Sequence, residues 1–189
     1  MHVEWEPFFL SRDTPAEGVD LIDYMRDRYG ADMARNFDKR SEGMEASGRA
    51  VGISFNRSRR VVNTLDGHRL MEYVKASYAG SMANALMEEL FKEYFERAGD
   101  VSKKEVLEKV LFTVFPAADA AAIGAAVLED KTRGKEEVLQ KDAAYKAQNI
   151  GGVPYFIIAE AGSGKRPVTF SGAQPVKAME EIFSEVLSA

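Results

Sequence analysis

Helical periodicity runs from about Asp20 to Asn149, with one short aromatic strand pattern before it and a hairpin pattern after it. This order of strand, many helices, hairpin and closing helix is what most restricts the fold. Two short β patterns so far apart in sequence can share a core only if the helices between them form an insertion in a small mixed sheet. At 189 residues the chain suits one domain of ordinary size.

The flanks carry the strand signals. Val3 and Trp5 alternate with Glu4 and Glu6 ahead of Phe8 and Phe9, which predicts a strand ending near Pro7 to Leu10. Ser11 to Gly18 has the turn chemistry of a loop. At the far end, Gly151, Gly152, Val153 and Pro154 lead into Tyr155, Phe156, Ile157 and Ile158, an aromatic and branched strand. Ala161 to Arg166 is a glycine-containing turn, Val168 to Phe170 a second strand, and Pro175 opens an amphipathic helix through Met179, Ile182, Phe183, Val186 and Leu187.

Within the helical block, Leu21 to Tyr29 and Met33 to about Gly48 read as two consecutive helices interrupted at Gly30. Asn63 or Thr64 caps a helix through Leu65, Leu70 and Val74, and a further helix spans Met82 to Phe95 before Gly99. Ser102 with Glu105 predicts a capping box, Pro116 ends the helix it opens, and Ala120 to Leu128 and Lys135 to Gln148 supply two more helices.

Composition restricts function. A net charge of -5 lacks the basic footprint of nucleic-acid binding. The compact cluster Arg57, Arg59 and Arg60 reads as a solvated loop, with anion contact as the alternative. No stretch is apolar enough to span a membrane, and Met1 to Leu10 lacks the pattern of a secretory signal, so a cytoplasmic protein is expected. The chain has no cysteine and two histidines, which leaves no thiolate nucleophile and argues against a transition-metal site or other cofactor.

Three segments taken together resemble one family. Trp5-Glu-Pro-Phe-Phe-Leu, Asn63-Thr-Leu-Asp-Gly-His-Arg-Leu, and the pair Gly152-Val-Pro-Tyr-Phe-Ile with Ser171-Gly-Ala-Gln-Pro are similar, in order and spacing, to the DsbA family and its FrnE-like branch. The resemblance implies an α/β thioredoxin-like fold with a large all-helical insertion: residues 1–18 and 150–189 as the thioredoxin-like part, 19–149 as the insertion. It also implies dithiol–disulfide exchange by a Cys-x-x-Cys at a helix N-terminus, where the dipole stabilises the thiolate.

This chain departs from that pattern at the active site. Trp5 and its neighbours resemble the family's second strand, so the first strand, the redox motif and the first helix are missing. Losing an interior strand would leave two unpaired rows of N–H and C=O groups. Three outcomes meet this: re-pairing within a smaller sheet, an active-site segment encoded upstream of Met1, or pairing with a second copy to give a homodimer, which is the one expected of the isolated chain.

Among candidate sites, Gly152, Val153 and Pro154 come first. The resemblance implies a cis Val153–Pro154 bond and an edge to which an extended peptide or protein substrate pairs, with a plain structural turn as the alternative. His68 is the one interior histidine, either a polar contact near a substrate or a histidine held within a helix–helix contact. Gly162-Ser-Gly-Lys165 lacks the first glycine and the hydroxyl of a phosphate loop and reads as a hairpin turn. Glu88, Glu89, Glu93 and Glu96 read as a solvated helix face, and the stripe of Tyr24, Phe37, Phe91 and Phe95 as core, with the lining of a hydrophobic ligand groove as the alternative.

The expected function is therefore a thioredoxin-fold relative of thiol–disulfide oxidoreductases that is redox-inactive as a cysteine-free chain. A non-catalytic peptide-binding module is the second reading. A glutathione-dependent relative, similar to kappa-class transferases and hydroxychromene-carboxylate isomerases, is third, because Gly172-Ala-Gln-Pro175 stands where those proteins carry Gly-x-Asp-Arg.

Overall fold

A computed structural model describes residues 2–188. The chain divides into two compact units, Met1–Gln140 and Lys141–Ala189.

The first unit is helical. β1 (Val19–Asp20) pairs antiparallel with β2 (Arg60–Val61), placing Val19 opposite Val61. Between them lie α1 (Leu21–Tyr29), α2 (Ala31–Arg35) and α3 (Phe37–Ala50). Asp20 caps α1 by accepting from the N–H groups of Ile22 and Asp23. Gly30, at φ 90°, separates α1 from α2, as its position predicts. Asn36 then divides the second expected helix into α2 and α3, turning its side-chain amide back to the Asp32 carbonyl at 2.8 Å.

The core is built by α4 (Leu65–Ser77), α5 (Gly80–Phe91), α6 (Lys104–Val114) and α7 (Ala117–Gly124). Their apolar residues recur at three- and four-residue spacings: Leu70 with Val74, Leu86 with Leu90, Leu107 with Val110 and Leu111, Ala120 with Ile123 and Val127. Leu70, Val74, Leu86, Leu107, Val110, Leu111, Ile123 and Leu128 are wholly removed from solvent. Each such burial is worth about 1.5–3 kcal/mol. α5 and α7 both run on into π-helical turns, Lys92–Glu96 and Ala125–Glu129.

Several local expectations fail. The Ser102–Glu105 capping box does not form: Lys103 occupies the cap, and Ser102 instead bonds through N–H and hydroxyl to the Asp100 carboxylate. An aspartate two residues upstream offers an ionised acceptor, which outcompetes the box.

The second failure is the strand expected at Val3 to Phe9, which is absent among the described residues. A strand exists only with a partner for its N–H and C=O groups, and this segment is held by side chains instead. The Trp5 indole donates to Asn84 Oδ1 at 2.8 Å and meets the Phe91 ring edge-on at 5.9 Å. The Lys75 ammonium donates to the Trp5 carbonyl and to Glu6 Oε1, each at 2.7 Å. Phe9 is buried and meets the His68 ring edge-on at 4.8 Å.

The aromatic stripe expected in the core lies at its margin. Phe91 is exposed, while Tyr24, Phe37 and Phe95 are half-buried. Phe91 and Tyr94 each pack edge-on against Phe95, at 5.7 and 4.8 Å.

α8 (Lys135–Ala147) carries the chain into the second unit, where β3 (Tyr155–Ile158) and β4 (Val168–Ser171) form an antiparallel hairpin followed by α9 (Val176–Ser188). The turn between the strands is where the near phosphate-loop motif falls. Gly162 and Gly164 take positive φ, and Lys165 returns to Glu160 at 3.0 Å, so Gly162 to Lys165 is a hairpin turn. No apolar side chain described in β3, β4 or α9 is fully buried.

Candidate functional site

Register decides which groups the hairpin offers to a ligand. Phe156 stands opposite Phe170 and Ile158 opposite Val168, and the Gly172 N–H donates to the Pro154 carbonyl at 2.8 Å. In an antiparallel pair the bonding positions alternate. Pro154, Phe156 and Ile158 therefore turn their polar groups toward β4, and Val153, Tyr155 and Ile157 turn theirs away. β3 pairs only with β4 among the described residues, so the outward row forms an open sheet edge.

Gly152, Val153 and Pro154, the leading candidates from sequence, enter this edge. The Val153–Pro154 bond is cis. Asn149, at φ 62°, turns the chain out of α8, and Asn149, Gly151, Gly152, Val153, Tyr155 and Gly172 line a cleft of about 390 Å³ with Pro154 and Ser171. That volume suits a few residues of an extended chain. Val153 and Ile157 are each 52% exposed. The arrangement offers main-chain donors and acceptors in a row with apolar side chains beside them, and from Asn149 to Ala159 it carries no charged residue.

His68 lies in the other unit. It sits in the first turn of α4, with its N–H on the Thr64 carbonyl at 3.1 Å and its ring against Phe9. Asn63, rather than Thr64, supplies the cap of α4 by accepting from the Leu65 N–H at 2.9 Å.

The basic cluster is used internally. Arg57 pairs with Glu45, and Arg60 donates to the carbonyls of Glu17 and Gly18. Arg59 donates to the Tyr94 hydroxyl at 3.0 Å and lies over the Tyr94 and Phe95 rings. Burial pushes the Tyr94 phenol above its ordinary pKa, against the opposing pull of the Arg59 charge.

Two polar networks escaped the sequence reading. Arg69 has no exposed side-chain surface and donates to the carbonyls of Val127, Asp130 and Arg133 and to Asp66. Burial opposes ionisation of Asp66, but the hydrogen bonds and charges of Arg69 and Lys131 outweigh it and hold the carboxyl below its ordinary pKa. The one available signal was an arginine amid apolar helix residues, three positions after an aspartate.

In the second network Glu89 and Glu93 are buried, contrary to the solvated face expected. Arg97 bridges them at 2.5 and 3.0 Å, and Lys109 stands 3.5 Å from Glu93. A Cβ at Gly99 would collide with the Glu93 carboxylate, which is why glycine follows this helix. Both networks brace helices and neither opens onto a cleft described here.

Among the described residues, no cluster of three or more metal-ligating side chains occurs, and no helix is long and apolar enough to cross a membrane.

Comparison with known proteins bears on the fold. A family model for the DSBA-like thioredoxin domain matches residues 1–184. No curated protein matches the sequence. Among solved structures, a probable DsbA oxidoreductase from Streptomyces coelicolor superposes with a TM-score of 0.75 at 20% identity, covering 96% of this chain and 73% of that one.

Proposed function

Since the chain belongs to the DSBA-like thioredoxin-domain family, we propose that it captures extended peptides at its hairpin edge and that its own residues supply no thiol chemistry. In this reading Gly152, Val153 and Pro154 admit an extended, uncharged segment of a peptide or protein, which pairs with the outward N–H and C=O groups of Val153, Tyr155 and Ile157. The observation that carries it is the open β3 edge along an uncharged cleft. Main-chain pairing supplies affinity in such edge recognition, and flanking apolar surface supplies selectivity.

The second half of the proposal follows from composition. Dithiol exchange needs an attacking thiolate, and no side chain of this sequence supplies one. The chain is redox-inactive on its own residues. The order of its three motifs supports placement in the FrnE-like branch, with residues 1–18 and 150–189 as the thioredoxin-like part and 19–149 as the helical insertion.

Calorimetric titration of the chain with a capped, uncharged heptapeptide of high β propensity tests the reading. Binding is expected, and Ile157→Pro should abolish it, because the proline removes an outward donor while sparing the bonds to β4. Failure of the peptide to bind, or binding unchanged in Ile157→Pro, overturns the edge as the site. Turnover of a disulfide substrate by the chain alone would overturn redox inactivity.

A further inference from the structure

Which strand occupies this edge when no peptide is present can be read from the register. We propose that a second copy of the chain does, through antiparallel pairing of β3 with its own two-fold mate, so that self-association and peptide capture exclude one another. The inference rests on the proposed edge site and adds its regulation.

Three observations favour a second copy over another partner. The first is charge: natural sheet edges are blunted by charged residues, prolines or bulges. The run from Asn149 to Ala159 has no charge to deter an identical run or to attract an acidic or basic partner, in a chain where 29% of residues are charged.

The second is symmetry. A closed dimer needs a self-complementary surface. Antiparallel pairing about Phe156 places Tyr155 opposite Ile157 of the mate and Ile157 opposite Tyr155, so the outward N–H and C=O groups of both residues are satisfied in both copies.

The third is packing. In that register Phe156 faces its own mate at a position without hydrogen bonds, where cross-strand side chains approach most closely. Phe156 already stacks on Phe170, with ring centroids 4.9 Å apart and planes at 19°. The two-fold axis would join these pairs into a row of four rings across a four-stranded sheet. Pairing about Tyr155 instead would break that row.

The absence of native cysteine makes the register directly testable in the full chain. Under mild oxidation, Phe156→Cys should cross-link to its mate about tenfold more than Tyr155→Cys or Thr169→Cys, since only facing positions fall within disulfide reach. The otherwise unaltered chain should show a sedimentation coefficient that rises with concentration. Ile157→Pro should lose that rise while keeping its far-ultraviolet circular dichroism. Saturating uncharged heptapeptide should also return the chain to monomer.

A chain that is monomeric at every concentration, or a dimer insensitive to Ile157→Pro, overturns the inference. So does preferential cross-linking through Thr169→Cys, and cross-linking chiefly through Tyr155→Cys overturns the register. Peptide binding by a permanent monomer would leave the proposed function standing and remove only the second copy. Dimerisation through Phe156 without peptide binding at any dilution would remove the proposed function and the mutual exclusion, and leave only the dimer.

Discussion

α6 of the first unit and α9 of the second both carry apolar residues at helical spacing, yet they end in different states. Leu107, Val110 and Leu111 of α6 are wholly enclosed by neighbouring helices. Val176 and Leu187 of α9 remain 76% and 73% exposed, and Phe156, Phe170, Ile182 and Phe183 are only partly covered. Periodicity marks which face of an element seeks burial and says nothing about whether a partner is present to provide it. Those residues of α6 have their partners within the chain. Among the described residues β3 keeps one edge unpaired, and α9 keeps exposed apolar side chains.

The contrast should appear first in the energetic weight of single residues. Arg69→Ala is expected to have the largest effect, about 3–5 kcal/mol, because it leaves buried carbonyls of Val127, Asp130 and Arg133 without their donor. Leu107→Ala should follow at about 2–5 kcal/mol through lost burial and the cavity left behind. Both are read from urea unfolding monitored by circular dichroism. A cost below about 1 kcal/mol at either position would mean that this core is less consolidated than its burial implies.

Removing a ring from the second unit should cost less. Phe156→Ala deletes one stacked partner of Phe170, worth about 0.5–1.5 kcal/mol beyond its partial burial. A loss as large as that of Leu107→Ala would erase the comparison.

Amide exchange sharpens the contrast within the hairpin itself. The N–H groups of Phe156, Ile158, Val168 and Phe170, directed into the ladder, should exchange slowly, and those of Tyr155 and Ile157 fast in dilute monomer. Equal protection along β3 in dilute monomer would contradict the open edge.

The same difference explains what was legible in the sequence. Features with local causes were readable: the break at Gly30, the end of α6 at Pro116, the hairpin around Gly162 and Gly164, and the periodicity of α4 to α7. Features whose causes lie elsewhere in the chain were not. Trp5 and Phe9 carry a strand pattern but no strand partner, so indole, ammonium and imidazole contacts decide their placement. Arg69, Glu89 and Glu93 look like surface charges until helices from distant segments enclose them. At the candidate site, the cis Val153–Pro154 bond was expected from the resemblance, whereas the outward row Val153, Tyr155 and Ile157 needed the observed register.

The smallest expected effect concerns acid sensitivity of the first unit. Asp66 is held below its ordinary pKa in the folded protein, so folding favours its ionised form. A carboxylate with a depressed folded pKa contributes stability that is fully present above its unfolded value, about 3.9, and is lost as pH falls through the folded value. Asp66→Asn removes that dependence while retaining an acceptor for Arg69 and Lys131. Urea midpoints taken between pH 7 and pH 3 should therefore fall less steeply in Asp66→Asn than in the parent chain. The carboxyl is only partly buried, which keeps the difference modest. Parallel slopes in the two proteins would show that the Arg69 network contributes through its carbonyl contacts alone, and that the first unit is sealed by hydrogen bonding without help from this ion pair.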